Sequence, residues 1–240
     1  MSDHILKAYD EDLSALKNML SEMGGLAESQ LMRSVDALMH RDGKLADDII
    51  RGDEKIDVME IAIEEKAILT IAKRQPLGRD LRNIMVTLRI ASDLERIGDL
   101  AKNVAKRTHA IGDAIPRRLA AGLNRMGQLS RMQLKLVLDA LAMDDADKAM
   151  EVWRHDEDID ALFNSIFREL LTYMMEDPRM IGACTHLLFA AKNLERIGDH
   201  ATNIAENIYY LVHGKPLRDE RPKKDNTSTT PFSPIGREAE

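Results

Sequence analysis

Four pairs of acidic residues stand four positions apart in this 240-residue chain: Glu95 with Asp99, Glu195 with Asp199, Asp53 with Asp57, and Asp156 with Asp160. On a helix, residues four apart share a face, so each pair would project two carboxylates to one side. Like charges placed this way repel by roughly 0.2–0.5 kcal/mol, and a bound cation relieves that repulsion. Asn103 and Asn203 continue the lines of Glu95–Asp99 and Glu195–Asp199 by one further step of four. The donors are oxygens, with no His or Cys at matching positions, and no Glu-x-x-His motif of a core di-iron bundle occurs in the chain. Such a set suits Mg, Mn, Ca or iron better than a tetrahedral zinc site of nitrogen and sulfur.

A single pair would mean little among 41 acidic residues. The signal is repetition. Leu88 to Arg107, LRIASDLERIGDLAKNVAKR, returns 100 residues later as Leu188 to Asn207, LFAAKNLERIGDHATNIAEN. Upstream the offset is 103: Met23-Gly24 matches Met126-Gly127, Gln30-Leu31 matches Gln133-Leu134, and Asp53, Ile56 and Asp57 match Asp156, Ile159 and Asp160. All four acidic pairs therefore occupy equivalent places in a duplicated fold. The competing reading is that these carboxylates solvate an outer face or pair with Arg96, Lys102, Lys192 and Arg196. His155 and His200 lie beside acidic pairs in the second half alone and read as surface histidines, not ligands.

The elements that carry these residues follow from periodicity. Leu13, Leu16, Leu20, Met23, Ala27, Leu31, Val35 and Leu38 keep a three-and-four spacing over Asp10–Met39 and predict one long helix, with a close helix crossing at Gly24-Gly25. Asp42-Gly43 breaks the pattern. A second helix is expected from about Lys44 to Arg74, ended by Gln75-Pro76, and a third from near Pro76 through Leu94, Ile97, Ala101 and Val104. Three helices of roughly 30 residues, about 45 Å each, joined by tight turns fold as an antiparallel bundle. The chain is thus expected to be all-α: two tandem three-helix bundles, 1–113 and 114–214, and a disordered tail over 215–240. At 100° per residue Glu95 and Asp99 fall away from the core stripe of their helix, while Asp53 and Asp57 flank theirs. The pairs are expected to meet in an external groove between the second and third helices, where Gly98 and Ala91 let the backbones approach.

Composition narrows the function classes. With 34 Lys and Arg against 41 Asp and Glu, the net charge is −7, which argues against a phosphate-neutralising nucleic-acid surface. Cys184 is the single cysteine, which excludes an intrachain disulfide and a thiolate cluster and fits a reducing compartment. No apolar run approaches the ~18 residues of a spanning helix, so the chain is expected to be cytoplasmic and to reach a membrane only through a partner. No Ser/His/Asp, Cys/His or Gly-rich phosphate loop stands out, and enzymatic turnover is not expected.

The paired LERIGD motifs (94–99 and 194–199), EMGGL (Glu22 to Leu26), AKRQP (Ala72 to Pro76) and LTYMMEDPR (Leu171 to Arg179) resemble the PhoU family of regulators of bacterial phosphate uptake. The likeness runs from about Tyr9 to Gly214. It implies paired three-helix bundles whose acidic motifs, carried onto Glu95, Asp99, Glu195, Asp199, Asp53, Asp57, Asp156 and Asp160, bind multinuclear clusters of iron or zinc. It also implies a non-catalytic homodimer linking the ATPase of a phosphate ABC transporter to a sensor histidine kinase, so that the phosphate-starvation regulon stays off when phosphate is plentiful. Two other readings of the same residues are a metal-buffering helical protein and a metal-dependent phosphohydrolase.

Overall fold

The computed structural model describes residues 2–111 and 117–218, and among them there is no strand. The long first helix, α1, spans Ser2–His40. It stops at Arg41, which turns left-handed at φ 55°, and Asp42 caps the next helix by accepting a hydrogen bond from Leu45 N at 2.9 Å. The same turn recurs 103 residues on: α5, Arg117–Met143, ends at Asp144 with φ 51°, and Asp145 accepts from Lys148 N at 3.0 Å. One local sequence code has produced one turn twice.

The second helix of each half is interrupted, where the periodicity predicts a single run. In the first half α2 covers Gly43–Gly52 and α3 Glu54–Arg74. The dihedrals of Asp53 remain helical, at φ −60° and ψ −36°, but the bonding tightens: Ile56 N reaches the Asp53 carbonyl at 2.8 Å while Asp57 N lies 3.4 Å from it. In the second half α6, Ala146–Arg154, and α7, Asp156–Glu176, meet at His155, whose ψ of 6° leaves the helical basin. The His155 imidazole takes up the slack with a 2.8 Å contact to the Glu151 carbonyl.

The third helices also start later than the prolines suggest. α4 begins at Arg79, because Gln75 closes α3 in the left-handed region and Gly78, at φ 59°, turns the chain again. In the second half Pro178 opens a short 3-10 turn, Pro178–Met180, that leads into α8, Ile181–His213. α4 itself runs to Arg107. The expected half boundary at 113/114 lies outside the described residues, as does 219–240 of the expected tail.

The core stripes are where the spacing put them. Leu16, Leu20, Met23, Ala27 and Leu31 of α1, and Leu94, Ile97, Ala101 and Val104 of α4, are all buried. The two bundles are not separate bodies, however, since one apolar core runs through both. α4 and α8 lie antiparallel along their lengths: Arg82 stacks over Tyr210, Asp93 meets His200, and Arg107 meets His186. α1 and α5 are antiparallel too, with Lys17 on Asp144 and Arg131 on Glu28. Added Cβ atoms at Gly24 and Gly127 would meet Leu138 Cδ2 at 2.5 Å and Val35 Cγ2 at 2.7 Å. These are one contact seen from each half, as an internal two-fold requires. Gly25 faces open space, so the expected crossing uses Gly24 alone. α3 and α7 pack on the outside of this four-helix layer, against α4 and α8 respectively.

Candidate metal site

In the first half α3 approaches α4 at Gly98, where a Cβ would lie 2.9 Å from Ile56 Cδ1 and 3.4 Å from Asp53 Oδ1. This brings the two expected acidic pairs together. Burial, then the neighbouring Asp53 carboxylate, raises the Asp57 pKa against the opposing pull of Lys102. Burial, then Asp99, raises that of Glu95, with Glu60 and Asp57 adding and Arg96 opposing. Arg96 Nε lies 3.5 Å from Glu95 Oε2. The Lys102 ammonium donates to Asp53 Oδ2 and, at 2.5 Å, to Asp99 Oδ1. Burial would lower the Lys102 pKa, but these hydrogen bonds outweigh it and push it up. Gln30 Nε2 satisfies the other Asp53 oxygen at 2.6 Å and also reaches the Gly98 carbonyl at 3.0 Å.

The second half repeats the approach with different chemistry. A Cβ on Gly198 would lie 2.9 Å from Ile159 Cδ1. The Thr202 hydroxyl lies 3.0 Å from Asp156 Oδ1 and 3.1 Å from the Gly198 carbonyl, and Lys192 Nζ donates to Glu195 Oε1 at 2.9 Å. Glu195 Oε2 is buried with no hydrogen-bond partner, as is Gln133 Oε1. The Glu195 pKa is pushed up to about 7, first by burial, against Lys192, and with Asp199 and Asp160 adding. These four carboxyl-bearing residues, like their first-half counterparts, thus face one region between two helices.

An external groove is the wrong description for half of the set. Asp53, Asp156 and Asp160 are each 2% exposed and Glu195 is 3%, because the neighbouring helices close over them. Asp99 and Glu95 are partly exposed, as the wheel requires. The Asn203 amide turns away from this set: its Nδ2 donates to Asp93 Oδ1 on α4 at 3.3 Å, and it lines a cleft of about 690 Å3 with Asp93, Arg89 and Glu206. Asn103 is half-buried on α4. His200 is no ligand of the cluster either, since its Nδ1 lies 2.9 Å from Asp93 Oδ1; His155 is exposed. Ion pairing and clustering prove to be compatible, since Arg96, Lys102 and Lys192 all reach the acidic residues. The sequence offers Gln30 only as a marker of the duplication, and Glu60 not at all. Gln30 repeats as Gln133 on the buried side of the first helix, and Glu60 stands three residues after Asp57.

Among the described residues no group of three or more His, Cys, Asp or Glu converges closely enough to hold a metal ion. The donor chemistry nevertheless fits one in the second half: carboxylate oxygens, deep burial and an acceptor, Glu195 Oε2, without a donor. No helix is long and apolar enough to cross a membrane, among the described residues.

The fold and this duplication can be set beside known proteins. The model of the PhoU domain matches twice, over residues 20–108 and 123–208. The phosphate-specific transport system accessory protein PhoU homolog of Rhizobium meliloti (strain 1021) is 57% identical over 94% of this chain and 96% of its own length. PhoU of Escherichia coli (strain K12) is 37% identical over 91% of this chain and 90% of its own. The crystal structure of PhoU from Pseudomonas aeruginosa superposes with a TM-score of 0.81 at 38% identity, covering 86% of this chain and all of that one, at 100%. The phosphate transport system regulatory protein PhoU of Streptococcus pneumoniae gives 0.81 at 29% identity, over 87% of this chain and 99% of that one. With two matched domains that take in both acidic clusters, and close relatives along nearly its whole length, the chain belongs to the PhoU family.

Proposed function

We propose that this chain is a non-enzymatic, cytoplasmic regulator of phosphate uptake, a metal-binding adaptor that holds the phosphate-starvation regulon off when phosphate is plentiful. Its partners would be the ATPase subunit of a phosphate ABC transporter and a phosphate-sensing histidine kinase. It would act as a homodimer, without nucleic acid, and would reach the membrane only through those partners. The observation that carries the reading is the acidic cluster lodged between paired helices in both matched domains of a chain whose relatives are named as accessory proteins of phosphate transport.

Glu95, Asp99, Asp53 and Asp57, and Glu195, Asp199, Asp156 and Asp160, are the residues that would hold metal, with iron or zinc clusters first and Mg or Mn suited by the oxygen donors. A bound ion supplies positive charge that several carboxylates share. Holding one ion between them, the carboxylates would link α3 to α4 and α7 to α8. Such a link changes how firmly the outer helices are held, which gives a regulator two states that partners can distinguish.

The test is capture from detergent-solubilised membranes of phosphate-replete cells on the tagged full chain. Recovery of both the transporter ATPase and the histidine kinase is expected, together with derepression of a phosphate-starvation reporter when the gene is deleted. Recovery of neither, with an unchanged reporter, overturns the proposal.

A further inference from the structure

α3 has two apolar faces. Ile56, Ile63 and Ala67 are buried against the bundle. On the opposite side Val58, Ile61, Ile68 and Leu69 are 57%, 55%, 62% and 53% exposed. Together with Glu65 and Ala72, which are also exposed, Val58, Ile61 and Ile68 follow an alternating three-and-four spacing. That is the a/d seam of a coiled coil, carried on the outside of a helix of 21 residues. An apolar seam of this kind turned to solvent is the pattern by which one helix receives another.

The fold does not require it. By the offset of 103 that relates the two halves, α7 carries Ala161, Asn164, Arg168 and Thr172 where α3 has Val58, Ile61, Glu65 and Leu69, while Leu171 and Met175 stand at the places of Ile68 and Ala72. The N-terminal half of the seam is thus missing from the duplicate, although α7 packs on α8 as α3 packs on α4. Large apolar side chains at 58, 61 and 69 belong to the first half alone.

Charge decides what can occupy the seam. Asp57 and Glu64 take the edge toward α4. Lys55, Lys66 and Lys73 take the edge toward α1, where Lys66 is paired with Asp12 at 3.2 Å and Arg74 with the same carboxylate at 3.1 Å. A second copy of the chain fits badly. Two such seams laid in the same direction set one Glu65 against the other, and laid in opposite directions they set the acidic edge against itself. Like charges placed so are destabilising. Glu54 and Glu65 also disfavour an anionic lipid surface. Beside the seam opens a cleft of about 270 Å3, with Asp12, Glu65, Lys66 and Leu69 in its walls. Asp12 is already held by two cations, whereas Glu65 has no ion pair among the described residues. A Lys or Arg from outside can lay its apolar stem on Leu69 and bring its charge to Glu65.

We propose that the outer face of α3 docks an amphipathic helix of another protein, whose apolar residues recur at the same spacing and whose Lys or Arg stands opposite Glu65. Docking there requires no metal in either acidic cluster.

The test puts the photo-crosslinker p-benzoylphenylalanine in place of Ile61, or of Ile68, in the full chain in its native cells, with the same group in place of Thr172 on α7 as control. After irradiation the adducts are purified, digested and sequenced by mass spectrometry. An adduct is expected at 61 or 68 and not at 172, joined to a segment of another protein with three-and-four apolar spacing and Lys or Arg among it. That segment, made as a labelled peptide, is expected to bind wild type and to bind Glu65→Arg about tenfold or more weakly by fluorescence anisotropy. Exchanging its basic residue for Glu should restore binding to Glu65→Arg. A triple variant, Val58→Ala with Ile61→Asn and Leu69→Thr, gives α3 the residues of α7 and should weaken binding by about tenfold or more while folded by circular dichroism. An adduct between two copies of this chain, no protein adduct at 61 or 68, a joined segment without that spacing or without a basic residue, no binding of the peptide to wild type, or equal affinity for wild type and Glu65→Arg overturns the proposal. Should the triple variant fail to fold, the adduct and Glu65→Arg still decide.

Discussion

His200 and Asp93 meet at 2.9 Å across the seam between the two halves, joining α8 to α4. Asp93 also accepts from Asn203 at 3.3 Å, so one carboxylate of the first half holds two side chains of the second. Asp93→Ala is expected to lower stability by about 1–2 kcal/mol and His200→Ala by about 0.5–1.5 kcal/mol. The double variant should fall short of their sum by about 0.5 kcal/mol or more, the mark of a shared interaction. Urea denaturation of the four proteins measures this, and strict additivity would show that the contact contributes nothing.

Neighbouring glycines in α1 should respond in opposite directions. Gly24→Ala drives a methyl to 2.5 Å from Leu138 Cδ2 at the α1–α5 crossing, and overpacking of this kind costs about 1–3 kcal/mol. Gly25→Ala meets nothing within 4 Å and should gain up to about 1 kcal/mol from helix propensity. Thermal melts of the two variants suffice; equal shifts of the same sign would mean that the crossing has room to spare.

The same contrast shows what was legible in the sequence. Periodicity on one helix locates the stripe that must be buried, so Leu94, Ile97, Ala101 and Val104 could be read directly. A pair of glycines signals a close approach without saying which residue makes it. Burial of Asp53, Asp156, Asp160 and Glu195 was hidden because it depends on what another helix lays over a residue, and a wheel of one helix contains no neighbour. The interruption at Asp53 has Gly52 beside it as a weak marker, but its counterpart at His155 follows Arg154 and carries no breaker. Lys102 was visible as a possible ion-pair partner; that it bridges both acidic helices depends on the α3–α4 distance set by Gly98.

Removing Lys102 in the absence of metal should be severe for a residue that is partly exposed. Lys102→Met leaves Asp53, which is buried, and Asp99 without the ammonium they share, and stranding a charge in this way costs about 2–4 kcal/mol. Lys106→Ala, on an exposed position one turn further along α4, should stay within about 0.5 kcal/mol. Adding Asp53→Asn to Lys102→Met removes the stranded charge and should recover part of the loss. Chemical denaturation in chelator reads all three, and a Lys102→Met protein as stable as wild type would mean that Asp53 finds its counter-charge elsewhere.

Glu195 should make the metal-free protein less stable as pH rises. Its carboxyl is pushed from an ordinary value of 4.5 up to about 7, first by burial, opposed by Lys192, and then by Asp199 and Asp160. A raised acid pKa means that the folded state holds the proton more tightly than the unfolded chain, so between these two values the native protein binds more protons and stability falls with increasing pH. The stabilisation is fully present below about 4.5 and is lost by the time pH has passed about 7, an effect of about 1–3 kcal/mol. Glu195→Gln keeps the shape and an acceptor for Lys192 but cannot ionise, so its stability should lack this decline. The measurement is urea denaturation from pH 4.5 to 8 with chelator present, taking the difference between wild type and Glu195→Gln so that the histidines titrating in the same window cancel. If that difference is flat across the window, Glu195 ionises as an ordinary carboxylate, and its buried oxygen is not short of a partner in solution.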